Sequence, residues 1–221
     1  SDRAGLPDHD AGPLAVAEAG IEWLKRSQDM SVHRDGGSAR DFSLIRGWAS
    51  SYPETSGYIV PTLIDFAART NDQSLADRAQ RMLDWLVSIQ FPEGGFQGGK
   101  VDAPVRVPVT FNTGQILLGL AAGVHSFGEA YRRPMVLTAT WLRDSLDADG
   151  CWRKHATPFA SPGEKAYETH VSWGLFEAAR IEPDRGFGEA GLKQVRWAMS
   201  KQTANGWFAS NSLSSPAEPH T

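Results

Sequence analysis

The stretch WLVSIQFPEGGF (residues 85–96) joins the end of a helical pattern to a turn rich in glycine and aromatic residues. Three other stretches follow the same plan: WLKRSQDMSVHRDGG (23–37), WLRDSLDADGCW (141–152) and WAMSKQTANGWF (197–208). Their leading tryptophans, Trp23, Trp85, Trp141 and Trp197, lie 62, 56 and 56 residues apart. A fixed period of this length marks a repeat architecture, in which each unit buries its apolar face against the next. The chain is therefore read as repeats of about 56 residues.

A second series lies between these stretches. ETSGYIVPTLIDFA (54–67), NTGQILLGLAAG (112–123) and ETHVSWGLFEAA (168–179) place Thr55, Thr113 and Thr169 in register, 58 and 56 residues apart. Each is an apolar helical pattern led by a threonine, a residue that can cap the free N–H groups of a helix start. These helices are apolar nearly all round, as buried helices are. The tryptophan-bearing segments, such as LADRAQRMLDWLVSIQ (75–90), mix charges with one apolar stripe and are expected outside. Outer helices are predicted near 13–28, 73–90, 129–146 and 188–202, and inner helices near 54–69, 112–125 and 168–180. Strand-favouring residues are few. VDAPVRVPVTF (101–111) holds two prolines and is expected as an extended loop or edge piece. The fold class is all-α, an array of about three and a half hairpins in one domain spanning 1–221. By the period, a further inner helix is expected to begin near AEPHT (217–221), as if the chain were a fragment of a longer array.

Composition excludes several functions. The formal charge of −4 leaves no basic footprint for nucleic acid. No apolar run approaches the ~18 residues of a membrane span, and no secretory apolar segment opens the chain. A cytoplasmic protein is the expectation. The single cysteine, Cys151, excludes an internal disulfide and a multi-cysteine zinc site. No GxSxG elbow or phosphate-binding loop is present. DADG (147–150) lacks the remaining ligands of a calcium loop, so neither metal nor cofactor is expected.

The alternation of inner and outer helices, with turns running from Gln90 to Phe96, Asp147 to Trp152 and Gln202 to Trp207, resembles the (α/α) toroid superfamily. That superfamily contains six-hairpin glycosidases, polysaccharide lyases and sugar epimerases, and also prenyltransferase and terpene-cyclase toroids with similar "QW" turns. The resemblance implies an incomplete (α/α) toroid, and the head SYPETSGYIVPT (51–62) resembles bacterial members linked to polysaccharide metabolism. It further implies that a ligand meets the N-terminal ends of the inner helices.

At those ends Glu54 and Glu168 occupy equivalent positions, with Asn112 at the third. Paired carboxyl groups suit acid/base chemistry on a glycosidic bond, and His170 can transfer protons near neutrality. Glu168, His170 and Glu54 are thus the catalytic candidates. Glu54 has a competing structural reading, because Ser51 and Glu54 fit a capping box. Aromatic residues outside the repeat suit stacking on sugar rings, so Trp48, Tyr52, Tyr58, Tyr167 and Trp173, with Asn112, are the candidate binding residues. Pro61 is expected to kink its helix and to free the Gly57 carbonyl beside the cavity. The expected partner is an oligo- or polysaccharide. The alternatives are an isoprenoid cyclase or prenyltransferase relative, which requires Asp-rich or zinc-ligand motifs elsewhere, and a non-catalytic helical-repeat binding module.

Overall fold

The computed structural model describes residues 10–213. Seven α-helices follow the predicted order. Helix α1 is Pro13–Asp29, α2 Pro53–Thr70, α3 Gln73–Ile89, α4 Thr110–Phe127, α5 Arg132–Ser145, α6 Thr169–Ile181 and α7 Phe187–Met199. Short 3-10 turns, Glu129–Tyr131, Ala166–Glu168 and Pro183–Arg185, precede α5, α6 and α7. The expected helix near 217–221 lies outside the described residues.

Inner helices α2, α4 and α6 pack side by side, and each is backed by the outer helix that follows it, α3, α5 or α7. Helix α1 is an outer helix, and among the described residues no inner helix precedes it. This is an incomplete (α/α) toroid. Burial follows chemistry: α4 is buried on almost every side, from Thr110 to Val124, whereas α3 buries one stripe, Leu75, Ala79, Met82, Leu83 and Leu86. The hairpins are short because their ends are locally satisfied. Asn71 takes the left-handed conformation that ends α2, and Asp72 accepts the Ser74 N–H at 2.9 Å to start α3.

The glycine-rich turns join neighbouring repeats. Gly36, Gly94 and Gly150 have φ of 106°, 108° and 97°. A Cβ on each would lie 3.0, 2.4 and 2.7 Å from the carbonyl oxygens of Arg81, Leu137 and Lys193. Each carbonyl stands four residues before the tryptophan of the next outer helix, Trp85, Trp141 or Trp197. Only glycine permits both that backbone angle and that approach. Glutamines reinforce the first two docks. Gln28 Nε2 donates to Gly36 O and Arg78 O, and Gln90 Nε2 to Gly94 O and Pro134 O. The fourth turn has the same shape, with Gly206 at φ 89° and Gln202 Nε2 donating to Gly206 O, yet among the described residues nothing lies within 4 Å of a Cβ there. Phe96 and Trp152 are buried, whereas Trp207 is 43% exposed.

Several local expectations change. Thr55, Thr113 and Thr169 do not cap their helices. Thr55 and Thr169 donate back to the carbonyls of Tyr52 and Ala166, and Thr113 Oγ1 accepts the Phe96 N–H at 2.9 Å, tying a turn to an inner helix. The capping box does not form either. Tyr52 is the N-cap residue without a side-chain cap, and Ser51 Oγ donates to Asp35 and to Gly37 O. The Gly57 carbonyl is not beside the cavity. A Cβ on Gly119 of α4 would lie 2.4 Å from it, so this oxygen faces a close crossing of α2 and α4. The crossing recurs one helix later, where Gly174 meets the Gly114 carbonyl. Trp23 is 48% exposed. It rests on Phe42 and Trp48, which flank a hairpin of two short strands, β1 (Phe42–Ser43) and β2 (Gly47–Trp48), that the sequence reading did not anticipate. Residues 101–108 form the expected loop, bridged at Gln97–Pro108, and α4 begins at Thr110.

Candidate active site

The heads of α2, α4 and α6 converge on a cavity of about 390 Å³ lined by Tyr52, Glu54, Phe111, Asn112, Thr157, Phe159, Tyr167, His170 and Leu213. The release of Ser51 from capping matters here, because the Glu54 side chain is free to turn across to α4. Its Oε2 accepts a 2.8 Å hydrogen bond from Asn112 Nδ2, and its carboxylate is also hydrogen-bonded to Tyr52. Burial nevertheless pushes the Glu54 carboxyl up to about 6, with the Tyr52 bond opposing the rise. A carboxyl poised there can both accept and release a proton near neutrality.

Glu168 stands directly before α6 and is 3% exposed. It does not line the cavity but lies buried behind that wall, and its Oε2 has no hydrogen-bond partner among the described residues. Burial first, then the neighbouring Glu54, pushes it up to about 8, against a smaller opposing pull from Lys165. Two nearby carboxyl groups in a dry setting do not both ionise cheaply, so they titrate as a pair. Glu54 gives up its proton first and Glu168 retains its own.

Aromatic rings frame the pair. Phe111 meets Tyr167 edge-on at 5.7 Å between centroids and tilts against His170 at 6.1 Å. The Tyr167 hydroxyl is buried without a partner among the described residues, and burial raises its pKa. His170 also borders a second, wider recess of about 860 Å³ along the inner helices, whose wall includes Tyr58, Gln115, Trp173, Glu177 and Arg180. Trp173 and Tyr58 expose 54% and 41% of their surface there, and Trp173 Nε1 donates to Glu177 Oε1 at 3.3 Å.

The structure thus brings Tyr52, Glu54, Asn112, Tyr167 and His170 to one cavity and Tyr58 and Trp173 to the adjoining recess. Trp48 lines neither; its ring is tilted against Trp23, 4.8 Å between centroids. Three wall residues escaped the sequence reading. Phe159 is an aromatic outside the repeat and was accessible by the criterion that found Tyr167. Thr157 carried no such signal. Leu213 reaches the cavity because residues 210–213 lace onto the preceding loop, with Ala166 N donating to Ser210 O and Ser161 N to Leu213 O, each at 2.8 Å. Among the described residues, no three His, Cys, Asp or Glu side chains gather as a metal site, and no helix is long and apolar enough to cross a membrane.

No family model matches this sequence and no curated protein matches it significantly. Solved structures do share its fold. A possible member of the GH105 family from Salmonella enterica superposes with a TM-score of 0.67 at 15% identity, over 90% of this chain and 56% of that one. An unsaturated glucuronyl hydrolase specific for heparin gives 0.67 at 14% identity, over 94% and 53%. A polysaccharide lyase gives 0.60 at 13% identity, over 73% and 51%. The fold is that of the six-hairpin, glycosidase-like toroids, and the chain spans about half the length of these neighbours.

Proposed function

We propose that this chain supplies part of the active site of a carbohydrate-active toroid, and that Glu54 is its acid/base group. The observation that carries the reading is the Glu54 carboxyl itself: it sits on the cavity wall, is raised to about 6, is oriented by Asn112 and Tyr52, and is ringed by aromatic faces. Aromatic rings supply apolar faces against which a sugar ring can pack. The titrating carboxyl supplies proton transfer to or from a glycosidic oxygen, a ring carbon or a water. Glu168 acts from behind as a protonated neighbour that keeps negative charge from accumulating beside Glu54 until the pH is alkaline. His170, at the mouth, is placed to exchange protons with ligand and solvent, while Tyr167, Tyr58 and Trp173 extend the contact surface along the groove. The fold neighbours named as glycoside hydrolases and polysaccharide lyases support a saccharide ligand. They do not discriminate between hydrolysis, elimination and epimerisation for this chain.

The test is a panel of neutral, amino and acidic polysaccharides, scored for binding, new reducing ends and the ultraviolet absorbance of an unsaturated sugar. Turnover that falls by about 10²–10⁴-fold in Glu54→Gln, the range for loss of a general acid or base, is the expected result. Binding without turnover in the wild type would favour a non-catalytic module. No binding to any saccharide would remove the carbohydrate reading altogether.

A further inference from the structure

Taking the saccharide reading as its premise, we infer that the sugar ring seated against Glu54 carries no carboxylate: this wall selects neutral or amino sugars over uronic acids. Its nine lining residues include a carboxylic acid and no lysine or arginine. The cations whose fields reach its neighbours Tyr52 and Glu168 are both committed elsewhere. Arg40, felt at Tyr52, is paired with Asp41. Lys165, felt at Glu168, is buried and donates its Nζ to Ser161 Oγ at 3.1 Å and to Ser212 O at 2.9 Å. Neither is on the cavity wall.

A second carboxyl group, Glu168, lies behind the wall and offers an anion no positive charge. Glu168 is fully sequestered beside Glu54, so an anionic ring would bring a third carboxyl group to a site where two already oppose one another's ionisation. Like charges in a partly desolvated site repel far more than in bulk water. The polar groups on the wall that remain for a ligand are the Glu54 carboxyl, the Thr157 hydroxyl and the His170 imidazole, since the Tyr52 hydroxyl is engaged by Glu54 and Asn112 and the Tyr167 hydroxyl is buried. A carboxylate oxygen such as that of Glu54 pairs well with sugar hydroxyls or an ammonium group and not with another carboxylate, which only accepts. The rings of Phe111, Phe159, Tyr52 and Tyr167 add faces that attract an ammonium and do not attract an anion.

Titration calorimetry at pH 8 and low salt tests this, since an imidazole is ordinarily neutral there. The probes are matched tetrasaccharides with the same linkage: cellotetraose, its glucosamine counterpart and its glucuronate counterpart, with galactose and galacturonate tetramers as a second pair. The expected result is binding of at least one neutral or amino member with the matching uronate weaker by tenfold or more. Glu54→Gln should narrow that ratio. Thr157→Arg, which places a cation on an outer loop of the wall, should strengthen uronate binding about tenfold. Uronate binding equal to or tighter than its neutral partner would overturn the selectivity and leave the saccharide reading standing. Unchanged uronate binding in Thr157→Arg would also count against it. Failure of every tetramer, charged or not, would overturn both.

Discussion

The third and fourth glycine-rich turns have the same backbone shape and different surroundings. In the third, Gly150 lies against the Lys193 carbonyl of α7, and Trp152 is buried with its Nε1 donating to Leu142 O at 2.9 Å. In the fourth, among the described residues, Gly206 has nothing within 4 Å of a Cβ and Trp207 is 43% exposed. The fourth turn keeps its form through its own bonds: Thr203 N donates to Trp207 O at 2.7 Å, as Asp147 N donates to Cys151 O at 3.0 Å. Local chemistry thus shapes each turn, and docking onto the next outer helix adds the stability.

The largest contrast should come from the aromatics. Trp152→Ala removes a buried ring and a satisfied N–H and is expected to cost about 3–5 kcal/mol in urea unfolding, whereas Trp207→Ala should cost under ~1 kcal/mol. Equal losses would mean that the fourth turn is packed as tightly as the third.

The two head carboxyls extend the comparison to the site. Glu168, on the packed side, is raised from 4.5 to about 8. Because its folded-state pKa lies above its unfolded one, the favourable contribution is complete below the unfolded value and is lost as pH climbs through about 8. Glu168→Gln, which mimics the protonated form, should therefore leave stability unchanged near pH 4 and raise it by roughly 4–5 kcal/mol at pH 9. Thermal melts across that range decide it; a flat difference between the two proteins would place Glu168 in water.

The glycines should give a smaller version of the first contrast. Gly150→Ala meets both the positive φ and the Lys193 carbonyl and is expected to cost about 2–3 kcal/mol. Gly206→Ala meets the angle alone, at about 1–2 kcal/mol. Denaturant midpoints of the two variants compare them directly.

Most of the fold was legible because it repeats. Trp85, Trp141 and Trp197 carried the period, and all seven helices appeared within a few residues of their expected bounds. Chemistry that depends on contacts between repeats was not legible. Ser51 looked like a cap for Glu54, and only the placement of Asp35 and Gly37 against Ser51 shows why the glutamate is free. Pro61 suggested a free carbonyl at Gly57, but Gly119, a whole repeat later, occupies that side. Where helix heads decide position, Glu54, Asn112 and Tyr167 come to one cavity. Trp48 diverged because a two-residue strand pair carried it onto Trp23, and so short a pair has no periodicity to reveal it.

Carbon-13 NMR of the labelled glutamate carboxyls, followed from pH 3 to 10 with and without a bound oligosaccharide, tests the central claim most directly. The account predicts one carboxyl titrating near 6, assigned to Glu54 by its loss in Glu54→Gln, a second near 8 from Glu168, and a saccharide-induced shift at the Glu54 resonance. Two carboxyls titrating together near 4.5 and indifferent to every saccharide would contradict it.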